Sequence, residues 1–141
     1  MGEQICKIVV GGLVLGKDEK FVLVEEENGQ LNFPCGGLEK EAIEAGAKRE
    51  ITEETGLRVA LDFVIGVYHN PNRNEKNVIK IIYAAHPVGG KLSDHQGARF
   101  YTRQEFNKIP RRKLRDNAVW MAVDDYFKNR EHSNSVIREY K

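Results

Sequence analysis

The most informative segment of this chain comprises residues 36–57, GGLEKEAIEAGAKREITEETGL. Its central part predicts a helix from Glu41 to Thr55. Ile43, Ala47 and Ile51 recur every four residues and would form one apolar stripe along that helix. The glycine that follows occupies the position where a left-handed residue commonly ends a helix. The stretch therefore predicts one amphipathic helix that ends sharply.

Three acidic residues lie close together near the end of this helix. At about 100° per residue, Glu50, Glu53 and Glu54 fall within one arc of about 100°. Like charges at this spacing destabilise a helix, and the helix dipole disfavours them at the C-terminal end. Hard divalent cations such as Mg²⁺ and Mn²⁺ prefer carboxylate oxygens. The pattern indicates a metal site; the alternative is a solvated acidic face on which Arg49 pairs with Glu53.

The same stretch resembles the Nudix box, whose pattern is G-x5-E-x7-R-E-U-x-E-E-x-G-U, with U an aliphatic residue. From Glu41 onward the chain matches every specified position. Before Glu41 it departs from the pattern: only four residues separate Gly36 from Glu41, and Cys35 stands where the family commonly has glycine. A weaker likeness extends roughly from Lys7 to Tyr126.

The resemblance implies a Nudix-type α/β/α sandwich with a mixed central sheet. It also implies hydrolysis of a phosphoanhydride bond in a nucleoside diphosphate linked to another group. Glu50, Glu53 and Glu54 would hold Mg²⁺ or Mn²⁺, and Glu53 or Glu54 would accept the proton of the attacking water. Arg49 would orient Glu53 through a charge-assisted hydrogen bond.

Further site residues follow from the same resemblance. Gly36 and Gly37 would allow close approach of the backbone to substrate phosphates, whereas Glu41 is expected to be structural. An additional carboxylate from a later loop often joins such a site; Asp94 is the first choice and Glu75 the second. For each of these two acids, an ordinary surface position is an equally good interpretation.

Two other polar segments are candidates for substrate contact. A polar loop is expected from His69 to Asn77, and Arg73 and Asn77 on it could contact a base or a sugar; such loops are also often simply polar. A basic cluster follows Pro110, where a solvated helix start is favoured over phosphate binding. Its members are Arg111, Arg112, Lys113 and Arg115. Trp120 is expected to be a core or dimer contact.

The remaining sequence predicts strands and two further helices. Strands are expected at 5–15, 21–24, 31–33, 61–68, 78–85 and 98–101. Thr102 to Glu105 has the form of a capping box that starts a short helix. A closing helix is expected from Leu114 to Phe127, followed by a polar, loosely ordered tail over residues 128–141.

Composition limits the classes of protein to consider. The 141 residues suit one domain, and 22 Lys and Arg against 21 Asp and Glu leave a net charge of +1. This balance argues against a dedicated nucleic-acid binder. There are two cysteines, Cys6 and Cys35, and this small number favours a cytoplasmic protein. No apolar run reaches the length of about 20 residues that a membrane span needs. The expected partner is a small nucleotide-type substrate, and a homodimer is left open.

Two other functions remain in competition. The domain could recognise a nucleotide without cutting it, as a binding or regulatory module. The complete set of carboxylates argues against this, and the short loop argues for it. The basic cluster could instead bind nucleic acid, in which case binding would weaken steeply with added salt. No signature in the sequence identifies the nucleotide.

Overall fold

The computed structural model describes residues 5–73, 76–93, 97–129 and 137–140. Within these residues the chain forms, in order, β1 (Cys6–Val14), β2 (Phe21–Glu25), β3 (Leu31–Asn32), β4 (Cys35–Gly37), α1 (Ile43–Thr55), β5 (Leu57–Arg73), β6 (Lys76–Gly90), β7 (Arg99–Tyr101), α2 (Arg103–Asn107), α3 (Asn117–Asn129) and β8 (Ile137–Glu139). Short 3₁₀ turns occupy Lys17–Glu19 and Arg111–Lys113.

The main sheet contains parallel and antiparallel pairs. Its five strands lie in the order β4-β1-β6-β5-β8, with β1 parallel to β6 and β5 parallel to β8. The other two pairs are antiparallel. A second sheet, in the order β3-β2-β7, completes the described strands. Helix α1 packs on one face of the main sheet and α3 on the other. The expected α/β/α sandwich with a mixed central sheet is confirmed.

Helix α1 is shorter than the sequence pattern predicts. Ala47 and Ile51 are fully buried, but Ile43 is 40% exposed, so the apolar stripe covers only the later turns. The helix begins at Ile43 rather than Glu41 because Ala42 is extended and the Glu41 carboxylate is held by an arginine farther along the helix. Gly56 has a φ of 78° and ends the helix, as predicted.

The polar loop expected between His69 and Asn77 is largely a continuation of two strands. Backbone pairing in the β5–β6 hairpin continues through His69↔Ile79 and Asn70↔Val78 to Arg73↔Lys76. The prediction failed because polarity was taken as a sign of a loop, whereas ladder hydrogen bonds involve the backbone and tolerate polar side chains. Most of the segment expected to be a loop therefore belongs to the main sheet.

The C-terminal part differs from the expectation at two places. The closing helix begins at Asn117, since Asp116 Oδ1 accepts a hydrogen bond from the Ala118 amide and starts the helix there. The tail was expected to be loosely ordered, but β8 adds to the sheet edge beside β5. The Thr102 capping box at α2 is confirmed by both of its reciprocal hydrogen bonds.

Apolar side chains fill both faces of the main sheet. The largest cluster joins Leu13, Tyr68 and Ile82 of the sheet to Ala118 and Ala122 of α3. Trp120 packs at the border of this cluster, with the Arg111 guanidinium 4.0 Å from its ring centre. In the part of the chain that the structure describes, no helix is both long enough and apolar enough to cross a bilayer.

Candidate active site

The last turns of α1 lie directly against β4. The Cys35 amide donates a hydrogen bond to Glu54 Oε1 at 2.8 Å. A Cβ atom at Gly36 would lie 2.2 Å from Glu50 Oε2, so any larger residue would force this carboxylate to move. At Gly37 the nearest atom to such a Cβ is 3.8 Å away, at Lys7. The absence of a side chain at Gly36 thus allows the present position of the Glu50 carboxylate, whereas Gly37 has room for a methyl group.

Arg49 links the loop before α1 to the carboxylates on it. Its Nη2 and Nε donate to the two oxygens of Glu41 at 2.6 and 2.9 Å. Nη1 donates to Glu50 at 2.8 Å and to both oxygens of Glu53 at 3.3 Å. Nη2 also reaches the Gly37 carbonyl at 3.3 Å. Arg49 therefore contacts Glu53, as the sequence predicts, but its closest carboxylate partners are Glu41 and Glu50.

The three predicted metal ligands share a helix face but have different partners. Glu50 is 13% exposed and Glu53 is 57% exposed, and both are held by Arg49. Glu54 is turned toward the Cys35 amide. Among the described residues, no three acidic, histidine or cysteine side chains converge on one point suitable for an ion. The assignment of Glu50, Glu53 and Glu54 as metal ligands stays a prediction; the contacts described are those with Arg49 and the β4 backbone.

Charge at the site nevertheless fits a divalent cation. Burial raises the pKa of Glu54 to about 7, the Cys35 amide opposes that rise, and the negative charges of Glu50, Glu26 and Glu53 add to it. A hard dication would relieve this excess negative charge, and carboxylate oxygens are the donors that Mg²⁺ and Mn²⁺ prefer. The donor set on α1 therefore suits the ion that the sequence analysis expects.

The surroundings of Glu41 favour its ionised form, in contrast to those of Glu54. The hydrogen bonds from Arg49, followed by the one from the Glu39 amide, lower the pKa of its carboxyl group to about 2. It lies just before α1 and ties the preceding loop to Arg49. This position agrees with a structural rather than a catalytic task.

A surface cavity of about 310 Å³ opens at strand β4. It shares Cys35 and Gly36 with the contacts just described. Its other lining residues are mainly polar: Lys7, Glu26, Asn32, Lys80 and Arg115, with Val9, Val78 and Gly37. Its sheet residues Lys7, Val9, Val78 and Lys80 alternate with Val10 and Tyr83, against which α1 packs, so the cavity and α1 lie on opposite faces of the sheet and share only the edge strand β4.

Most of the polar cavity residues were missed by sequence reasoning. Lys80 lies in a strand that alternates with aliphatic residues, and such a lysine usually faces solvent; here it is 3% exposed and paired with Asp116. Arg115 was grouped with a solvated basic cluster, but its Nη1 donates to both Glu26 oxygens at 3.1 Å. Neither pairing has a local spacing signal, because each partner comes from a distant segment.

Among the predicted site residues, Asn77 is not brought to this cavity. Asn77 accepts a hydrogen bond from His69 Nε2 at 3.2 Å, and strand alternation directs it away from the face where Val78 and Lys80 line the cavity. Arg73 is the last residue of β5. Asp94 and Glu75 lie outside the described residues.

Comparison with known proteins identifies the family. The NUDIX domain model matches residues 7–140, almost the whole chain. This chain belongs to the Nudix family. A MutT-like protein of Streptomyces ambofaciens is 35% identical to this Nudix chain over 85 residues, 59% of this chain and 53% of that protein. An ADP-ribose pyrophosphatase of Methanocaldococcus jannaschii is 32% identical over 110 residues, 74% of this chain and 64% of that protein.

Solved structures agree with this assignment. A Nudix hydrolase from Nitrosomonas europaea superimposes with a TM-score of 0.77 and 25% sequence identity, covering 91% of this chain and 93% of that one. The fold expected from the Nudix resemblance is therefore confirmed. The alignments to the curated relatives cover between about half and two thirds of those proteins' length.

Proposed function

We propose that this Nudix chain is a divalent-metal-dependent pyrophosphohydrolase. Its substrate would be a nucleoside diphosphate linked to another group. Water would attack one phosphorus atom of the anhydride, and the bridging P–O bond would break. The products would be a nucleoside monophosphate and a second phosphorylated compound or pyrophosphate.

The observation that carries this proposal is the contact between α1 and β4. Glu50 and Glu54 pack against Gly36 and the Cys35 amide, and both of these β4 residues also line the polar cavity. A phosphoanhydride held at this edge of β4 would meet the carboxylates of α1 that are expected to bind metal.

In the proposed reaction, the metal ion and the protein side chains have different roles. Glu50, Glu53 and Glu54 would hold Mg²⁺ or Mn²⁺, which when bound would neutralise charge on the phosphates and activate the attacking water. Glu53 or Glu54 would take the proton released from that water. Arg49 would position Glu50 and Glu53, and its bonds to Glu41 and the Gly37 carbonyl would anchor it to the loop.

Relatives support a small nucleotide-type substrate. The relative from Methanocaldococcus jannaschii is an ADP-ribose pyrophosphatase, and ADP-ribose is a nucleoside diphosphate that carries a sugar. We extend that class of substrate, and not the individual compound, to this chain. The expected cytoplasmic location and the option of a homodimer remain predictions.

Single substitutions on α1 test the proposal. We expect Glu53→Gln and Glu54→Gln each to lower kcat at least about 100-fold, since each removes a charge that would bind metal. Glu44→Gln, at an exposed position on the same helix, is the matched control and should retain activity. The measurement is product release from nucleoside diphosphate sugars, nucleoside triphosphates and dinucleoside polyphosphates with Mg²⁺ or Mn²⁺.

The outcomes separate hydrolysis from simple recognition. Undiminished turnover in both glutamine variants would refute the catalytic assignment. Calorimetric binding of a nucleotide with no product formed from any substrate would favour the alternative, a Nudix-fold binding or regulatory module.

A further inference from the structure

Helix α1 covers only part of its face of the main sheet. Paired residues of neighbouring strands lie on the same face, and so do residues two apart along a strand. The strand register therefore places a group of aliphatic side chains on the face of Val10 and Tyr83, where α1 packs. Its members, all partly exposed, are Ile8, Val64, Val67, Ile79 and Ile81. These five side chains form the open patch.

The open patch is unusual because it lies partly on parallel strands. β1 and β6 pair in parallel, and such strands are normally covered on both faces. Helix α3 covers the other face. On this face α1 begins only at Ile43, which belongs to the stripe that faces the sheet and is still 40% exposed. Exposed apolar surface that joins several elements in this way is typical of an interaction site.

Opposite charges lie beside the open patch. Glu44 and Lys48 are exposed residues of α1 and line a groove of about 360 Å³ whose other wall is β5. The groove also contains Val64 of the open patch and the neighbouring Tyr83. Opposite charges four residues apart on a helix commonly pair, but within the described part of the chain neither Glu44 nor Lys48 forms an ion pair. Both charges are therefore available to a partner.

This arrangement of charge and apolar surface is complementary to itself. A two-fold axis perpendicular to α1 would set the helices of two copies antiparallel, so that Glu44 of each copy faces Lys48 of the other. The open patches would then cover one another and remove apolar surface from water on both sides. A membrane or a strongly acidic protein would be attracted by one of the two charges and repelled by the other. A second copy of the chain fits this surface better than either.

We propose that the open patch, together with Glu44 and Lys48, is the interface of a two-fold symmetric homodimer of this chain. The inference goes beyond the proposed function and does not depend on it, since none of these residues is assigned to metal or substrate. Glu50 and Glu54 lie on the opposite flank of α1, toward β4. Both candidate active sites therefore stay accessible in the dimer.

The mass of the full chain in solution is the first measurement. Sedimentation at about 100 μM is expected to give twice the mass of one chain, with dissociation on dilution. In Ile79→Lys a charge would be buried in the apolar interface, so the dissociation constant should rise at least about 100-fold. Val88→Lys is the matched control and should leave the dimer intact, since Val88 is 61% exposed and lies outside the open patch. A monomer at the same concentration, or a dimer that tolerates Ile79→Lys, would overturn the proposal.

Charge reversal tests the two-fold arrangement itself. Lys48→Glu alone would place acids opposite acids, and Glu44→Lys alone would place bases opposite bases. Each single variant should raise the dissociation constant of its homodimer about tenfold. An equimolar mixture of the two variants should form a heterodimer as tight as the original homodimer, because both contacts are attractive again. If the mixture associates no more tightly than its components, the proposed interface is wrong; Lys108→Glu, at an exposed position on α2's C-terminal side, is the control for a reversed charge elsewhere.

Two further measurements separate folding and alternative partners from dimer formation. Urea unfolding of dilute Ile79→Lys shows whether this variant folds. If it does not, the charge-reversal mixture decides the outcome, because Glu44 and Lys48 are exposed and their replacement leaves the core unchanged. A chain that stays monomeric but binds neutral lipid vesicles, with binding lost in Ile79→Lys, would assign the open patch to a membrane and overturn the proposal.

Discussion

At the scale of single residues, Arg49 organises the candidate site more than any one of its acids does. It holds Glu41 through two short hydrogen bonds and contacts Glu50 and Glu53 on its own helix. The loop before α1 is thereby tied to the carboxylates by one guanidinium, whose planar donors suit such multiple contacts. Cys35 stands at the glycine position of the family pattern, and Glu41, six residues later, reaches this arginine.

Substitution of Gly36 tests the close contact between β4 and α1. In Gly36→Ala the new methyl group would overlap Glu50 Oε2, only 2.2 Å from the Cβ position, and would displace that carboxylate. We expect kcat to fall about 10- to 100-fold, as misplacement of a catalytic group by about 1 Å can cause. Gly37→Ala is the control, with its nearest contact at 3.8 Å. Equal effects of the two substitutions would show that the contact with Glu50 is unimportant.

The Glu41–Arg49 pair predicts a pH dependence of stability. The folded pKa of Glu41 is about 2, below its ordinary value of 4.5, so folding favours the ionised form. The stabilisation that ionised Glu41 provides is therefore fully present at pH values above the ordinary pKa and is lost as the pH falls toward 2. The difference in urea midpoint between the unmodified chain and Glu41→Gln should shrink between about pH 5 and about pH 2. A constant difference across this range would contradict the assignment; exposed Glu44→Gln serves as the reference.

At the scale of elements, the C-terminal strand β8 extends the main sheet and leads to a tyrosine that contacts a lysine of the cavity wall. Arg138 pairs with Asp125 of α3, and Asp125 also accepts a hydrogen bond from the Tyr68 hydroxyl. Just beyond the strand, Tyr140 is 2% exposed and packs over Lys80. A short strand late in the chain thus helps to hold a lysine that lines the cavity.

Tyr140 offers a matched pair of substitutions. Tyr140→Ala removes a buried ring and should lower the free energy of unfolding by about 3 kcal/mol. Tyr140→Phe should change it by less than about 0.5 kcal/mol, because the hydroxyl group has no hydrogen-bond partner among the described residues. Urea unfolding of both variants is the measurement. A large loss in the phenylalanine variant would show that the hydroxyl has a partner after all.

At the scale of the whole molecule, the features that the sequence predicted correctly are those that depend on a few neighbouring residues. The end of α1 at Gly56 and the Thr102 capping box were predicted from a few neighbouring residues, and both are confirmed. The acids on one helix face were also predictable, since helical spacing alone places them there. The contact of Arg49 with Glu53 was predicted as well. The hydrogen bond from the Cys35 amide to Glu54 was not, because it depends on how β4 docks against the helix.

Features that depend on distant segments escaped prediction. The cavity joins Lys80 of β6, Glu26 after β2 and Arg115 before α3, and no pattern in the sequence relates these positions. The pairing of β8 with β5 was missed because residues 128–141 are mostly polar, and its stability comes from one buried tyrosine and a partner strand far upstream.

The parallel pairing of β1 with β6 also bears on how a nascent chain reaches this fold. Val14 pairs with Ala85, about seventy residues later, so at ordinary translation rates the N-terminal strand waits on the order of ten seconds for that neighbour to be synthesised. During that interval its aliphatic side chains are available to chaperones or to other unfinished chains. Strand β4 emerges from the ribosome much sooner and can shield one edge of β1, through Val9 to Gly11, while the other edge remains open.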